Sequence, residues 1–123
     1  ILNKAGAFSV KKNSRGLIDS VNYSIDILKD PQNMLLIFPQ GEIQSLYTDT
    51  YHFQKGIEHI INKSKSDVQL IFNINLIDYF SFKKPSLKVI VKKMNIEKPV
   101  KTAFLEEQYN EFAQRHKLRQ KEK

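Results

Sequence analysis

The sequence contains no cysteine, so all chemistry that depends on a thiol is closed to it. A disulfide framework, a thiolate-bound zinc ion and a cysteine nucleophile are therefore excluded for these 123 residues. Glycine and proline are scarce as well, with four of each, whereas Ile, Leu, Val and Phe recur along the whole length. This composition argues against low-complexity disorder and predicts a single domain over residues 1–123.

Long apolar runs are also missing from the sequence. The longest unbroken run, Met34 to Phe38, has five residues, against the roughly 20 that a membrane-spanning helix needs. We therefore expect no segment that crosses a bilayer. The first residues, Ile1 to Gly6, include neither an initiator Met nor the apolar stretch of a signal peptide, and we expect the chain to be part of a longer protein.

Positive charge is in excess, because 20 Lys and Arg residues stand against 13 Asp and Glu residues, a net charge of +7. A basic protein attracts phosphate groups, which suggests a nucleic acid or a membrane surface as a partner. Arg, the better residue for bidentate phosphate recognition, occurs only three times, and no RNA-binding aromatic pattern or helix-turn-helix signature is present. We therefore expect no nucleic-acid partner, and we interpret residues 113–123 as a solvated basic tail.

Apolar spacing predicts three helices. Two amphipathic helices are predicted over residues 17–28 and 53–62, because apolar residues recur there with helical periodicity. A third helix near the end of the chain has an apolar stripe of Leu105, Tyr109 and Phe112. We favour docking of this stripe on the core over a membrane-surface helix, because the stripe is short and shares its face with acids.

Three segments are predicted as strands. Met34 to Phe38 is apolar at every position, which is typical of a central parallel strand covered on both faces. Residues 70–77 alternate between apolar and polar positions, and residues 87–92 alternate as expected for a half-exposed strand near a sheet edge. Alternation of helices with buried strands predicts an α/β fold with a mostly parallel central sheet flanked by helices.

A ligand-binding loop is expected after the first predicted strand, at residues 38–42 (Phe-Pro-Gln-Gly-Glu). Ligands of parallel sheets bind beyond the carboxyl ends of strands. The alternative is a simple turn, since Pro and Gly after a strand often mean no more. Three histidines, His52, His59 and His116, are candidate general bases, but the sequence offers none of them a convincing partner. No spacing of ligating residues indicates a metal site.

Two segments together resemble the lysophospholipid acyltransferase family, within the glycerol-phosphate acyltransferase superfamily. Residues 6–12 (Gly-Ala-Phe-Ser-Val-Lys-Lys) are similar to its second motif, and residues 38–45 (Phe-Pro-Gln-Gly-Glu-Ile-Gln-Ser) to its third. The likeness extends to residues 53–57 and covers roughly residues 5–77. Within the motifs, Lys12 and Ile43 replace arginines of the family, and Gln40 replaces a glutamate. The catalytic His-x4-Asp motif does not occur, and we expect it upstream of Ile1.

The resemblance implies bacterial phospholipid biosynthesis, with transfer of an acyl group from acyl-CoA or acyl-carrier protein to a glycerolipid hydroxyl. The upstream His would act as general base, so the resemblance assigns no catalytic residue, bound cofactor or metal to this chain. It implies an incomplete acyltransferase-like domain that contacts the cytoplasmic face of the membrane peripherally. Lys12 would meet an anionic head group. The implied substrate-binding residues are Gly6, Ser9, Lys12, Phe38, Pro39, Gln40, Gly41 and Glu42.

A second hypothesis is a non-enzymatic basic module that binds an acidic lipid surface or a partner protein. Its support is the net charge and the basic residues after Phe112. The sequence upstream of Ile1 discriminates between the two hypotheses, because a His-x4-Asp motif there would favour the enzyme.

Overall fold

The order of elements is helix, helix, strand, strand, helix. A computed structural model describes residues 14–40, 50–79 and 83–121 of the chain. The elements are α1 (Ser14–Ile27), α2 (Gly56–Lys63), β1 (Leu70–Asp78), β2 (Ser86–Met94) and α3 (Thr102–Lys121). All three predicted helices are present, but α2 begins at Gly56 and not at residue 53, and α3 continues through most of the basic C-terminal residues.

The sheet of the described residues has two strands and is antiparallel. Leu70 lies opposite Met94 and Asp78 lies opposite Ser86, so β1 and β2 form a hairpin. The prediction of an α/β fold with a mostly parallel central sheet is therefore wrong. A strand followed so closely by another can pair with it through a short turn, whereas a parallel partner needs a long crossover connection.

The prediction that Met34 to Phe38 forms a central strand is also wrong. These residues have no regular secondary structure, and the Met34 and Phe38 residues are 86% and 73% exposed. Pairing of this run with β1 would require closing a much longer loop than the hairpin does, and loop-closure entropy rises with length. The local partner, β2, therefore takes the backbone hydrogen bonds of β1.

One face of β1 builds the core together with α3. Phe72, Ile74 and Leu76 alternate with exposed residues along the strand and pack with Phe112 and Ala113. This alternation confirms the predicted strand over residues 70–77. The apolar stripe of α3 also docks on the core as predicted, so this helix does not expose it to a membrane surface.

A second cluster joins α2 to the start of α3. Its buried members are Ile57, Ile61, Val100 and Leu105, and Leu105 is only 1% exposed. The carboxylate of Glu58 ties the same two helices together, because its Oε2 accepts hydrogen bonds from the Thr102 backbone N–H at 3.0 Å and hydroxyl at 2.7 Å. Glu58 therefore caps the N-terminus of α3 from a neighbouring helix.

The outer face of the hairpin is apolar and exposed. A strand over residues 87–92 is confirmed, but Leu87, Val89 and Val91 lie on the side away from the core and are 57–64% exposed. Ile90 and Met94 instead pack against the core cluster. Among the residues that the structure describes, no helix has the length and apolar character needed to cross a membrane.

Candidate functional site

Three of the eight residues implied by the family resemblance are described by the structure. Phe38 is exposed, while Pro39 and Gln40 are half-buried. The others lie outside the described residues: Gly6, Ser9, Lys12, Gly41 and Glu42.

Pro39 is held by the segment that precedes α2. The backbone N–H of Gln54 donates a hydrogen bond of 2.7 Å to the Pro39 carbonyl oxygen. This bond connects the segment that resembles the third motif with residues 53–57, which also resemble the family. The two segments therefore form one corner.

Gln40 brings an unsatisfied acceptor to this corner. Its side-chain oxygen Oε1 is buried and has no hydrogen-bond partner among the described residues. A buried acceptor without a donor costs about 1–3 kcal/mol. The oxygen is therefore available to a hydroxyl or amide donor from outside the described part of the chain.

Residues 51–54 are anchored on α3 through their backbone. Asn110 accepts from the Tyr51 N–H at 2.8 Å and donates to the Tyr51 carbonyl at 3.0 Å. One turn earlier on the helix, Glu106 Oε2 accepts from the Phe53 N–H at 2.9 Å. Alternate N–H groups of an extended segment point the same way, so both reach one helix face. The corner at Pro39 is thus fixed indirectly by α3.

The side chain of Tyr51 adds to this anchor. Lys117 Nζ donates to the Tyr51 hydroxyl at 2.8 Å and lies 4.8 Å from the ring centroid. The rings of Tyr51 and Phe53 both contact Tyr109, with centroid distances of 5.4 and 5.5 Å. Burial, and then the neighbouring Tyr51, raises the pKa of Tyr109 to about 12. Tyr109 therefore remains protonated and donates to the Asn73 carbonyl at 3.1 Å.

His52 has a carboxylate neighbour that the sequence did not reveal. Its Nδ1 lies 3.5 Å from Glu106 Oε1, although the side chain is 76% exposed. A carboxylate beside Nδ1 favours the tautomer that leaves Nε2 as the basic nitrogen. The separation is longer than that of a charge-assisted hydrogen bond, and an exposed pair of this kind contributes about 0–1 kcal/mol.

The other two histidines have different surroundings. His116 packs edge-on against Phe112, with centroids 4.9 Å apart. Desolvation lowers the pKa of His116, and so do the nearby cations of Arg119, Lys88, Arg115 and Lys92. His59 is exposed on α2. Neither imidazole has an ion-pair partner among the described residues.

Sequence reasoning missed the α3 residues that organise this region. Glu106, Asn110 and Lys117 follow each other at helical spacing and form a polar stripe beside the apolar one. That spacing was visible in the sequence. Nothing in it indicated that the stripe binds residues 51–53, because those partners lie more than fifty positions away.

Two shallow depressions, of about 280 and 550 Å³, are lined by residues from 67–69 and 93–98. Neither includes Pro39, Gln40 or His52, so these depressions carry no part of the site. Within the described ranges, no three His, Asp or Glu side chains converge in a way that could hold a metal ion.

Comparison with known proteins gives no relative for this chain. No family model, curated protein or solved structure matches it.

Proposed function

We propose that the chain is part of an acyltransferase that moves an acyl group from acyl-CoA or acyl-carrier protein to a hydroxyl of a lysophospholipid-type glycerolipid. The observation that carries the proposal is the hydrogen bond between the Gln54 N–H and the Pro39 carbonyl. It joins two segments that resemble the same family, which is the arrangement expected if both contribute to one pocket.

The reaction needs a hydroxyl that attacks the thioester carbonyl. A C–O bond forms, the C–S bond breaks, and the thiol leaves with the proton that the acceptor hydroxyl loses. The role proposed for this chain is to hold the acceptor. Gln40 Oε1, buried and without a partner among the described residues, would accept a hydrogen bond from a glycerol hydroxyl.

The general base is not assigned to any residue of this chain, because the sequence holds no His-x4-Asp motif. Lys12 would contact an anionic head group, and Gly6, Ser9, Gly41 and Glu42 would complete the acceptor pocket. These assignments rest on the family resemblance. The proposed location is the cytoplasmic face of the membrane, where lipid acceptors are presented.

The test uses the protein translated from the complete reading frame that contains these residues. Purified protein is incubated with acyl-CoA or acyl-carrier protein and lysophosphatidic acid, and with zwitterionic and uncharged lysolipids. Thiol release and the acylated lipid are both measured. Absence of acyl transfer for every donor and acceptor would overturn the proposal.

Two variants of Gln54 test the structural basis. Gln54→Pro removes the N–H that binds the Pro39 carbonyl, and we expect at least a tenfold fall in kcat/KM with the helical circular dichroism retained. Gln54→Ala keeps the N–H and should stay within twofold of wild type. Since the His52 side chain is 76% exposed and is not among the acceptor-binding residues proposed here, His52→Ala should also leave turnover within twofold. Loss of activity in His52→Ala alone would place the base on His52 instead.

A further inference from the structure

Four basic side chains lie near the C-terminal end of α3, two of them on β2 and two on α3 itself. In the β1–β2 ladder, Lys88 lies opposite Leu76 and Lys92 lies opposite Phe72. Residues paired across a ladder share a face, so both lysines lie on the face of the sheet that α3 covers.

The aromatic contacts of the core bring the last turns of α3 beside these lysines. The ring centroid of Phe72 is 6.1 Å from that of Phe112, and Phe112 is 4.9 Å from His116. Arg115 and Arg119 lie on the same part of the helix and are exposed. We call Lys88, Lys92, Arg115 and Arg119 the basic surface.

The charges of the basic surface are not neutralised within the described part of the chain. Neither the Lys29–Asp26 ion pair nor the His52–Glu106 ion pair involves one of the four cations. Together with desolvation, the four cations lower the pKa of His116. Their fields therefore add at one place on the protein.

Exposed apolar side chains lie close to the basic surface. Leu118 on α3 is 58% exposed, and Val89 and Val91, which alternate with the lysines along β2 and lie on the opposite face of the strand, are 57% and 63% exposed. Because β2 lies at an edge of the sheet that the described residues form, a flat partner that meets this edge contacts side chains of both strand faces.

We propose that the basic surface and these apolar side chains dock on an anionic phospholipid bilayer. Cations near the surface of an anionic membrane attract it, and apolar side chains beside them leave water by entering the headgroup region. This inference is independent of acyl transfer, because docking is measured without turnover.

Other anionic partners fit the same residues less well. The phosphates of a nucleic acid would pair with the four cations, but a nucleic acid provides little apolar surface for Val89, Val91 and Leu118 to contact. A second copy paired through β2 would bring lysines close to lysines, which is unfavourable. A free phosphate ion would need an enclosed set of donors, whereas these four side chains are exposed.

Co-sedimentation of the 123-residue chain with vesicles tests the proposal. We expect binding to phosphatidylglycerol vesicles at least tenfold stronger than to phosphatidylcholine vesicles, and weaker at high salt. One Lys or Arg near such a surface accounts for roughly a fivefold change in partitioning, so Lys88→Gln with Lys92→Gln should weaken binding by about tenfold or more. Val89→Ser with Val91→Ser should weaken it several-fold without unfolding the chain.

The matched control is Lys63→Gln with Lys65→Gln, which removes the same charge from exposed positions outside the basic surface. This control should bind within twofold of wild type. An equal loss in both pairs would show general charge attraction and overturn the proposal. It would also be overturned by tighter binding to a short DNA duplex, by stronger release from vesicles with inorganic phosphate than with sodium chloride of the same ionic strength, or by dimerisation that the valine substitutions abolish.

Discussion

Asn110 exchanges two hydrogen bonds with the backbone of Tyr51, accepting from its N–H at 2.8 Å and donating to its carbonyl at 3.0 Å. Asn62 does the same with Val100, at 2.8 Å in both directions. An asparagine in this arrangement takes the place of a neighbouring strand for one residue. Two irregular segments of the chain are fixed to helices in this way.

Asn110→Ala should lower the free energy of unfolding by about 1–3 kcal/mol, because each lost hydrogen bond contributes about 0.5–1.5 kcal/mol. Urea unfolding followed by circular dichroism measures the change. Asn110→Asp keeps an acceptor for the Tyr51 N–H but cannot donate to the Tyr51 carbonyl, so it should not restore wild-type stability. A change below about 0.5 kcal/mol in Asn110→Ala would contradict the anchor.

Leu105→Ala should destabilise the protein by about 2–5 kcal/mol, because Leu105 is 1% exposed and joins α3 to the cluster around α2. Leu118→Ala on the same helix is the control. Leu118 is 58% exposed, and its truncation should change unfolding by less than about 0.5 kcal/mol. Similar losses in the two variants would mean that this part of α3 is not docked as described.

The Glu58 cap of α3 should make stability depend on pH in the acid range. Hydrogen bonds from the Thr102 side chain and backbone lower the pKa of Glu58 below its usual 4.5. Since the carboxylate is favoured in the folded state, its contribution is present above pH 4.5 and is lost as pH falls through the folded pKa. Urea unfolding between pH 6 and 3 should show a shallower dependence in Glu58→Gln than in wild type.

His116 should titrate below its ordinary pKa of 6.5, because desolvation and the surrounding cations disfavour its charged form. Its protonation therefore favours the unfolded state, so stability should fall as pH drops from 6.5 through the folded pKa. An NMR titration measures the pKa directly. Lys88→Gln with Lys92→Gln should raise it, and an unchanged value would contradict the placement of these lysines.

Helices were predictable from the sequence because their signal is local. The stripe of Leu105, Tyr109 and Phe112 is complete within one element, and the structure buries it. The sheet was not predictable in the same way. The uniform apolar pattern of Met34 to Phe38 indicates that burial of this segment would be favourable, but it does not indicate which strand would pair with it. β1 instead pairs with β2, the strand that follows it in the chain.

The site was predictable only in part for a similar reason. The Pro39–Gln40 corner follows from the sequence as a break after an apolar run, whether or not a strand precedes it. Its anchoring by Gln54, and the anchoring of Tyr51 by Asn110, depend on how distant segments dock. In the sequence Glu106 looks like an ordinary exposed acid, yet its carboxylate accepts a hydrogen bond from the Phe53 N–H and lies beside the His52 ring.

The separation of 59 residues between Tyr51 and Asn110 bears on the order in which the chain folds. The length-dependent entropy of closing such a loop is about 4 kcal/mol, whereas a hairpin such as β1–β2 forms within roughly 1–10 μs from neighbouring residues. We therefore expect the hairpin and α3 to associate before residues 51–54 reach the helix. In the native state the same segment should open first, so that the amide protons of Tyr51 and Phe53 exchange with solvent sooner than that of Phe72.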